Sequence, residues 1–286
     1  MLSISKITPD KNAFIAPLGE IYRPVEELYF YGKLPTERQP TVAVVGSRKP
    51  TSYGREMTHK FAFALAKQGI IIVSGLALGI DALAHRACLE AGGTTLAVLG
   101  GGLNNITPTS NQPLARQILQ QGGAILSEYE PTMPVLPHQF LERNRIVSGL
   151  ADAVIVIEAA KRSGTLSTAA HALEQGRDVF AVPGNLTSPN SEGCNNLIKQ
   201  GATLLTDVNQ ILQALGLDQS DEQANLPLVT DPIDKQILNI IKSGEQAGDK
   251  ILARLKISVA EFNLHLTMLE LQDIIQPLGN NQWSLK

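Results

Sequence analysis

The chain has 286 residues, of which 43% are hydrophobic and 18% charged, with a formal net charge of -3. That is enough apolar material for one sizeable α/β domain and a small accessory one, and a soluble globular protein is expected. The charge excludes a protein that coats nucleic acid through bulk electrostatics, and no apolar run approaches the roughly 18 residues of a membrane span.

The first 40 residues, with "APLGEIYRPVEELYFYGKLP", read as a docking segment that leads into the first strand. "TVAVVGSR" is that strand, and Met57, Phe61 and Leu65 then recur at helical spacing until Gly69. "GIIIVSGLA" is the second strand, followed by a helix with Ile80, Leu83, Ala84, Ala87 and Cys88 on one face, and "TTLAVLGGG" is the third. Strands are also expected at "GAILSEY", "DAVIVIEA", "RDVFAVPG" and "ATLLT", with helices over 114–121, 140–150, 166–174 and 195–200. This alternation predicts a doubly wound, mostly parallel sheet covered on both faces, over residues 41–216.

Residues 217–230, "LDQSDEQANLPLVT", have the polar, proline-bearing texture of a linker. From 231 to 286 the pattern predicts three helices and a terminal hairpin, a winged-helix-like arrangement. Six Lys and Arg against seven Asp and Glu in this part, and no basic recognition helix, point to an interaction or regulatory role.

In an open parallel sheet, ligands bind beyond the carboxyl ends of the strands. The glycine loops concentrate there. Gly46 and Ser47 precede Arg48 and Lys49 after the first strand, Gly75 and Gly79 frame the second loop, and Lys161, Arg162, Ser163, Gly164 and Thr165 follow "DAVIVIEA". Arg143 and Arg145, in "FLERNRIVSG", stand in the first turns of a helix, where positive charge is unfavourable unless an anion is near. Convergence of cations and free N–H groups on one sheet edge points to a phosphate-bearing ligand. Gly75 and Gly79 also suit tight turns, Lys161 and Arg162 also suit a solvated surface, and Ser163 and Thr165 also suit a helix cap.

GxxxxGK[ST] and GxGxxG are absent, which disfavours ATP hydrolysis and ordinary NAD binding, and no cofactor is expected. Cys88 and Cys194 have no CxxC or CxxH company, so buried reduced thiols are expected and no metal. His85 reads as a hydrogen-bonding helix residue, and no pairing among Asp81, Glu128 and Glu158 forces acid or base chemistry. "MLSISKITPDKNAF" has no signal-peptide pattern, and a cytoplasmic location is expected.

The ordered set "VAVVGSRKPTSYG", "SGLALGIDALAH", "LAVLGGGLNNITP", "ILSEYEP", "FLERNRIVSGLADAVIVIEAAKRSGTLSTAA", "GRDVFAVPGN" and "GCNNLIKQGATLLTD" resembles the DNA-processing protein A family, DprA or Smf. The resemblance implies an extended Rossmann-like domain that binds single-stranded DNA, a homodimer, and delivery of incoming strands to the RecA recombinase in natural transformation, without enzymatic activity. It implies phosphate contacts from Arg48, Lys49, Arg143 and Lys161 or Arg162, with Ser163, Gly164 and Thr165 in the same pocket. Phe140 is placed to stack on a base. The chain departs from the family pattern at Leu78, usually an arginine, and in the third loop at Asn104 and Ile106 to Pro108. A rival reading is a nucleotide-acting phosphoribohydrolase of related fold. Its "PGGxGTxxE" glutamate has no counterpart here, where Ala169 and Ala170 stand in the comparable stretch.

Overall fold

The computed structural model describes residues 3–217, 231–255, 257–271, 274–279 and 281–285. The chain divides into two compact units, Met1–Asp218 and Gln219–Lys286. The expected linker lies, from residue 218 to 230, outside the described residues.

The first unit is built on a nine-stranded sheet. After β1 (Ser5–Ile7) and β2 (Leu28–Gly32) come β3 (Thr41–Val45), α1 (Ser52–Lys67), β4 (Ile71–Ser74), α2 (Ile80–Glu90), β5 (Thr95–Val98), α3 (Gln112–Gln120), β6 (Ala124–Ser127), α4 (Gln139–Leu150), β7 (Ala153–Val156), α5 (Thr165–Glu174), β8 (Asp178–Ala181), α6 (Glu192–Lys199), β9 (Thr203–Leu204) and α7 (Asn209–Ala214). The spatial order is β1-β2-β6-β5-β4-β3-β7-β8-β9, parallel from β6 to β9. The chain thus winds from β3 outward to β6 and returns beside β3 as β7, which makes the β3/β7 junction the topological switch point.

Strand alternation builds both faces. Ala43 and Val45 of β3 join one core cluster with Ile146, Leu150, Ala172 and Leu197, while Val42 and Val44 join another with Phe61, Leu65, Ala84 and Cys88. Every residue of β3 is buried, the state that a β-branched run reaches when helices cover both faces of a parallel strand.

The lead-in segment is more than a docking tail. Its β2 pairs antiparallel with β6, Tyr29 opposite Ser127, and β1 pairs antiparallel with β2. Phe14, Ile15, Leu18 and Leu28 are fully buried in the α4 side of the core, each worth about 1.5–3 kcal/mol of burial. Gly149 of α4 permits this contact, because a β-carbon there would come 2.8 Å from Leu18 Cδ2.

The second unit contains α8 (Pro232–Lys242), α9 (Gly248–Leu255), α10 (Val259–Leu271) and the antiparallel pair β10 (Ile275–Gly279) and β11 (Gln282–Leu285). Asp231 caps α8 by accepting from the N–H of Ile233 at 2.7 Å, with Pro232 at the first helical position. Ile237, Leu238, Phe262, Leu266 and Ile275 form its own core. Ala247, between α8 and α9, bridges to Gln282 of the hairpin.

Candidate nucleic-acid interface

A cavity of about 410 Å3 opens at the carboxyl edge of the sheet, at the β3/β7 switch point. Four chain segments wall it: Gly46, Ser47 and Arg48 after β3, Ala77 and Asp81 after β4, Phe140, Leu141, Arg143 and Asn144 of α4, and Ala160 with Arg162 to Thr165 after β7.

Arg143 forms the floor. Its side chain is only 4% exposed, and Nη1 donates to the carbonyl of Gly75 at 2.6 Å and to that of Val98, joining the ends of β4 and β5. A β-carbon on Gly75 would collide with this guanidinium, so glycine here is clearance for arginine. Asp81, also buried, accepts from the N–H of Gly75 at 3.1 Å and of Ala77 at 3.4 Å. Burial lowers the pKa of Arg143, the Asp81 charge opposes that shift, and nearby Arg48 adds to it. Burial likewise raises the Asp81 carboxyl, against the pull of Arg143. An anion entering between Arg48 and Arg143 would relieve the repulsion between two guanidinium groups.

Arg48 itself is exposed, with its guanidinium carbon 5.3 Å from the centroid of the Phe140 ring. The aromatic face expected to await a base therefore carries a cation in this structure. Arg162 lies on the exposed rim. Below it, Ser163 Oγ accepts from the N–H of Thr165 at 3.2 Å, Thr165 Oγ1 donates to the Gly46 carbonyl at 3.0 Å, and Asn144 Nδ2 donates to the Gly164 carbonyl at 3.2 Å. These bonds hold the β3 loop, α4 and the head of α5 in one frame.

Nine of the residues singled out in the sequence thus meet in the cavity: Gly46, Ser47, Arg48, Phe140, Arg143, Arg162, Ser163, Gly164 and Thr165. Five do not line it. Lys49 is an exposed residue whose carbonyl accepts from Asn190 Nδ2 at 3.1 Å. Gly75 lies under Arg143, and Gly79, at φ 80, lets α2 start against the carbonyl of Ser47. Lys161 pairs with Glu192 at 3.2 Å on the surface. Arg145 needs a correction: its counter-charge is Glu128, at 2.5 Å, rather than a ligand anion. The helix period turns it away from Arg143, into the protein.

Asp81, Asn144 and Thr168 add polar groups to the wall, and the sequence reading did not assign them to it. Asn144 stands between the two arginines of "ERNR", a position whose only local signal is a polar residue inside a helix. The remaining candidate acids and bases are occupied. Glu158, buried, accepts from the N–H of Thr51 at 2.9 Å and from its hydroxyl at 2.5 Å, at the start of α1. His85, buried, bonds Thr95 Oγ1 through Nδ1 at 2.7 Å, and burial holds its pKa down to about 3.

The sequence model of the DNA recombination-mediator protein A family matches residues 5–216, the unit that carries this cavity. The chain belongs to that family. It is 50% identical to protein Smf of Escherichia coli over 66% of this chain, a match that spans half the length of that relative. It is 44% identical to DNA processing protein DprA of Streptococcus pneumoniae over 68% of each chain. The crystal structure of the S. pneumoniae protein is similar with a TM-score of 0.68 and 41% identity over 74% of each chain. A structure of DNA processing protein A from Helicobacter pylori, described for its mode of binding single-stranded DNA, is similar with a TM-score of 0.66 and 32% identity, covering 76% of this chain and 97% of that one. The Rossmann-like, mostly parallel α/β architecture is shared with these two solved structures. Among the described residues, no helix is long and apolar enough to cross a membrane.

Proposed function

We propose that the cavity at the β3/β7 junction binds the phosphate backbone of single-stranded DNA and that the protein acts as a strand-handling factor without catalysing a reaction on the strand. The observation that carries this reading is the convergence of Arg48, Arg143 and Arg162 on one cavity whose lining has Asp81 as its acidic member. The H. pylori family relative, described as binding single-stranded DNA, supports it. Lys49, exposed at the same sheet edge, extends the cationic field around the opening.

Leu78, 47% exposed, stands where the family pattern has an arginine, so this chain brings one cation fewer to the β4 loop. On single strands each phosphate contact contributes a slope of about -0.7 to the dependence of log K on log salt. Leu78→Arg therefore steepens the slope by roughly that amount. A role in natural transformation, with a homodimer handing strands to RecA in the cytoplasm, goes with this reading, as does an accessory role for a winged-helix-like second unit.

The test is a binding titration with single-stranded, duplex and mononucleotide competitors over a salt series. Preference for the single strand and a steep salt slope are expected. Affinity indifferent to salt, preference for duplex, or release of free base from nucleoside monophosphates would each overturn the proposal, the last in favour of a phosphoribohydrolase.

A further inference from the structure

A second cavity, of about 390 Å3, opens on the other side of the β3 loop, walled by Thr51, Tyr53, Glu158, Gly184, Ser188 and Ser191. Gly46 to Arg48 line the first cavity and Thr51 the second, and the three residues from Arg48 to Thr51 span at most roughly 10 Å. The two openings are therefore neighbours on one sheet edge.

Their chemistry differs. Among the described residues, no arginine or lysine lines the second cavity. Its polar groups are hydroxyls, an amide from Asn185 and the Glu158 carboxylate, both oxygens of which already accept from Thr51. Such a lining repels a phosphate and suits a neutral ligand with hydrogen-bonding edges. Tyr53 supplies the other half of a recognition site. Its hydroxyl donates to the carbonyl of Pro183 at 2.8 Å, which pins the far end of the ring, while 40% of the residue remains exposed. Burial raises the pKa of the phenol, so the ring stays neutral at physiological pH. Leu186, 91% exposed, adds apolar surface on the loop that supplies Asn185 and Ser188. Phe140, by contrast, already carries the Arg48 guanidinium on its ring.

We infer that Tyr53 is the stacking platform of a second subsite, which takes a nucleobase from the same strand whose phosphates occupy the Arg48 cavity. The inference rests on the single-strand reading of that first cavity. A ring fixed by its hydroxyl loses little freedom when a base stacks on it, and stacking tolerates any base while the hydroxyls and Asn185 meet its edge. A strand is thus held by charge at one opening and by a base at the next.

The experiment measures affinity of the full chain for an oligonucleotide across a salt series, for the wild type, Tyr53→Phe, Tyr53→Leu and Ser188→Leu. Tyr53→Phe keeps the ring and binds within about twofold of the wild type. Tyr53→Leu binds about 5- to 150-fold more weakly, the range for a lost base stack, with the salt slope unchanged because no phosphate contact is lost. Ser188→Leu fills the cavity from the loop side, leaves α1 untouched, and reproduces the loss. On an abasic strand the difference between wild type and variants disappears. Wild-type affinity in Tyr53→Leu and Ser188→Leu, a slope that falls together with affinity, or a difference that persists on the abasic strand would overturn the subsite alone. A wild type that binds no single strand overturns the reading of the first cavity, and the subsite with it.

Discussion

The guanidinium of Arg143 occupies the space that any side chain on Gly75 would need. Gly75→Ala therefore forces the arginine off the carbonyls of Gly75 and Val98, at a cost of about 1–3 kcal/mol, the range for overpacking a core. Urea denaturation measures the loss. In an Arg143→Ala background the same substitution costs markedly less, since the clash is gone; an equal cost in both backgrounds would show that another group sets the clearance.

Arg48 is exposed and serves the cavity directly. Arg48→Ala lowers single-strand affinity by about 1.5–3 kcal/mol and reduces the magnitude of the salt slope by about 0.7, while the unfolding midpoint stays within error of the wild type. Fluorescence anisotropy across a salt series, with a thermal melt alongside, separates the two effects.

Arg145 behaves in the opposite way. Its pairing with Glu128 at 2.5 Å, with side chains 10% and 23% exposed, makes it a structural residue. Arg145→Ala leaves Glu128 without its partner and destabilises the fold by about 3 kcal/mol, with the salt slope of binding unchanged. A shallower slope in this variant would place Arg145 among the strand contacts after all.

His85 makes stability sensitive to acid. Its folded pKa is depressed from 6.5 to about 3 by burial, so the stability of the neutral form is fully present above pH 6.5 and is lost as pH falls toward 3. The loss runs at about 1.4 kcal/mol per pH unit. Asp81, whose pKa is raised, works in the other direction: its contribution is full below 3.8 and declines as pH rises through the raised value. Chemical denaturation of wild type and His85→Asn over this window tests the assignment, and parallel curves would remove His85 from the account.

Much of this architecture was legible locally. Runs such as "TVAVV" and "AVIV" are buried on both faces, and that pattern carries its meaning without knowledge of partners. The nine cavity residues read from the chain all lie at strand ends or helix heads, where parallel-sheet topology collects ligands whatever the details. What escaped was non-local. "LYFYG" became β2 because β6, some hundred residues on, offered an open edge, and nothing within the segment announces that pairing. Arg143 and Arg145 look alike in sequence, yet one reaches two carbonyls at the ends of β4 and β5 and the other a carboxylate on Glu128. Gly75 looked like a turn residue because the bulk it avoids belongs to a side chain 68 positions away.

At the head of α1 the protein supplies its own anion. In doubly wound sheets that helix start is a common seat for a ligand's phosphate, yet here the Glu158 carboxylate already takes the N–H and hydroxyl of Thr51, and Gly54 leaves room for it and no more. A pyrophosphate approaching along that helix axis meets like charge. The residue that anchors α1 would thereby act as a filter, turning foreign phosphates toward the arginine-lined cavity and leaving the tyrosine-lined one to uncharged rings.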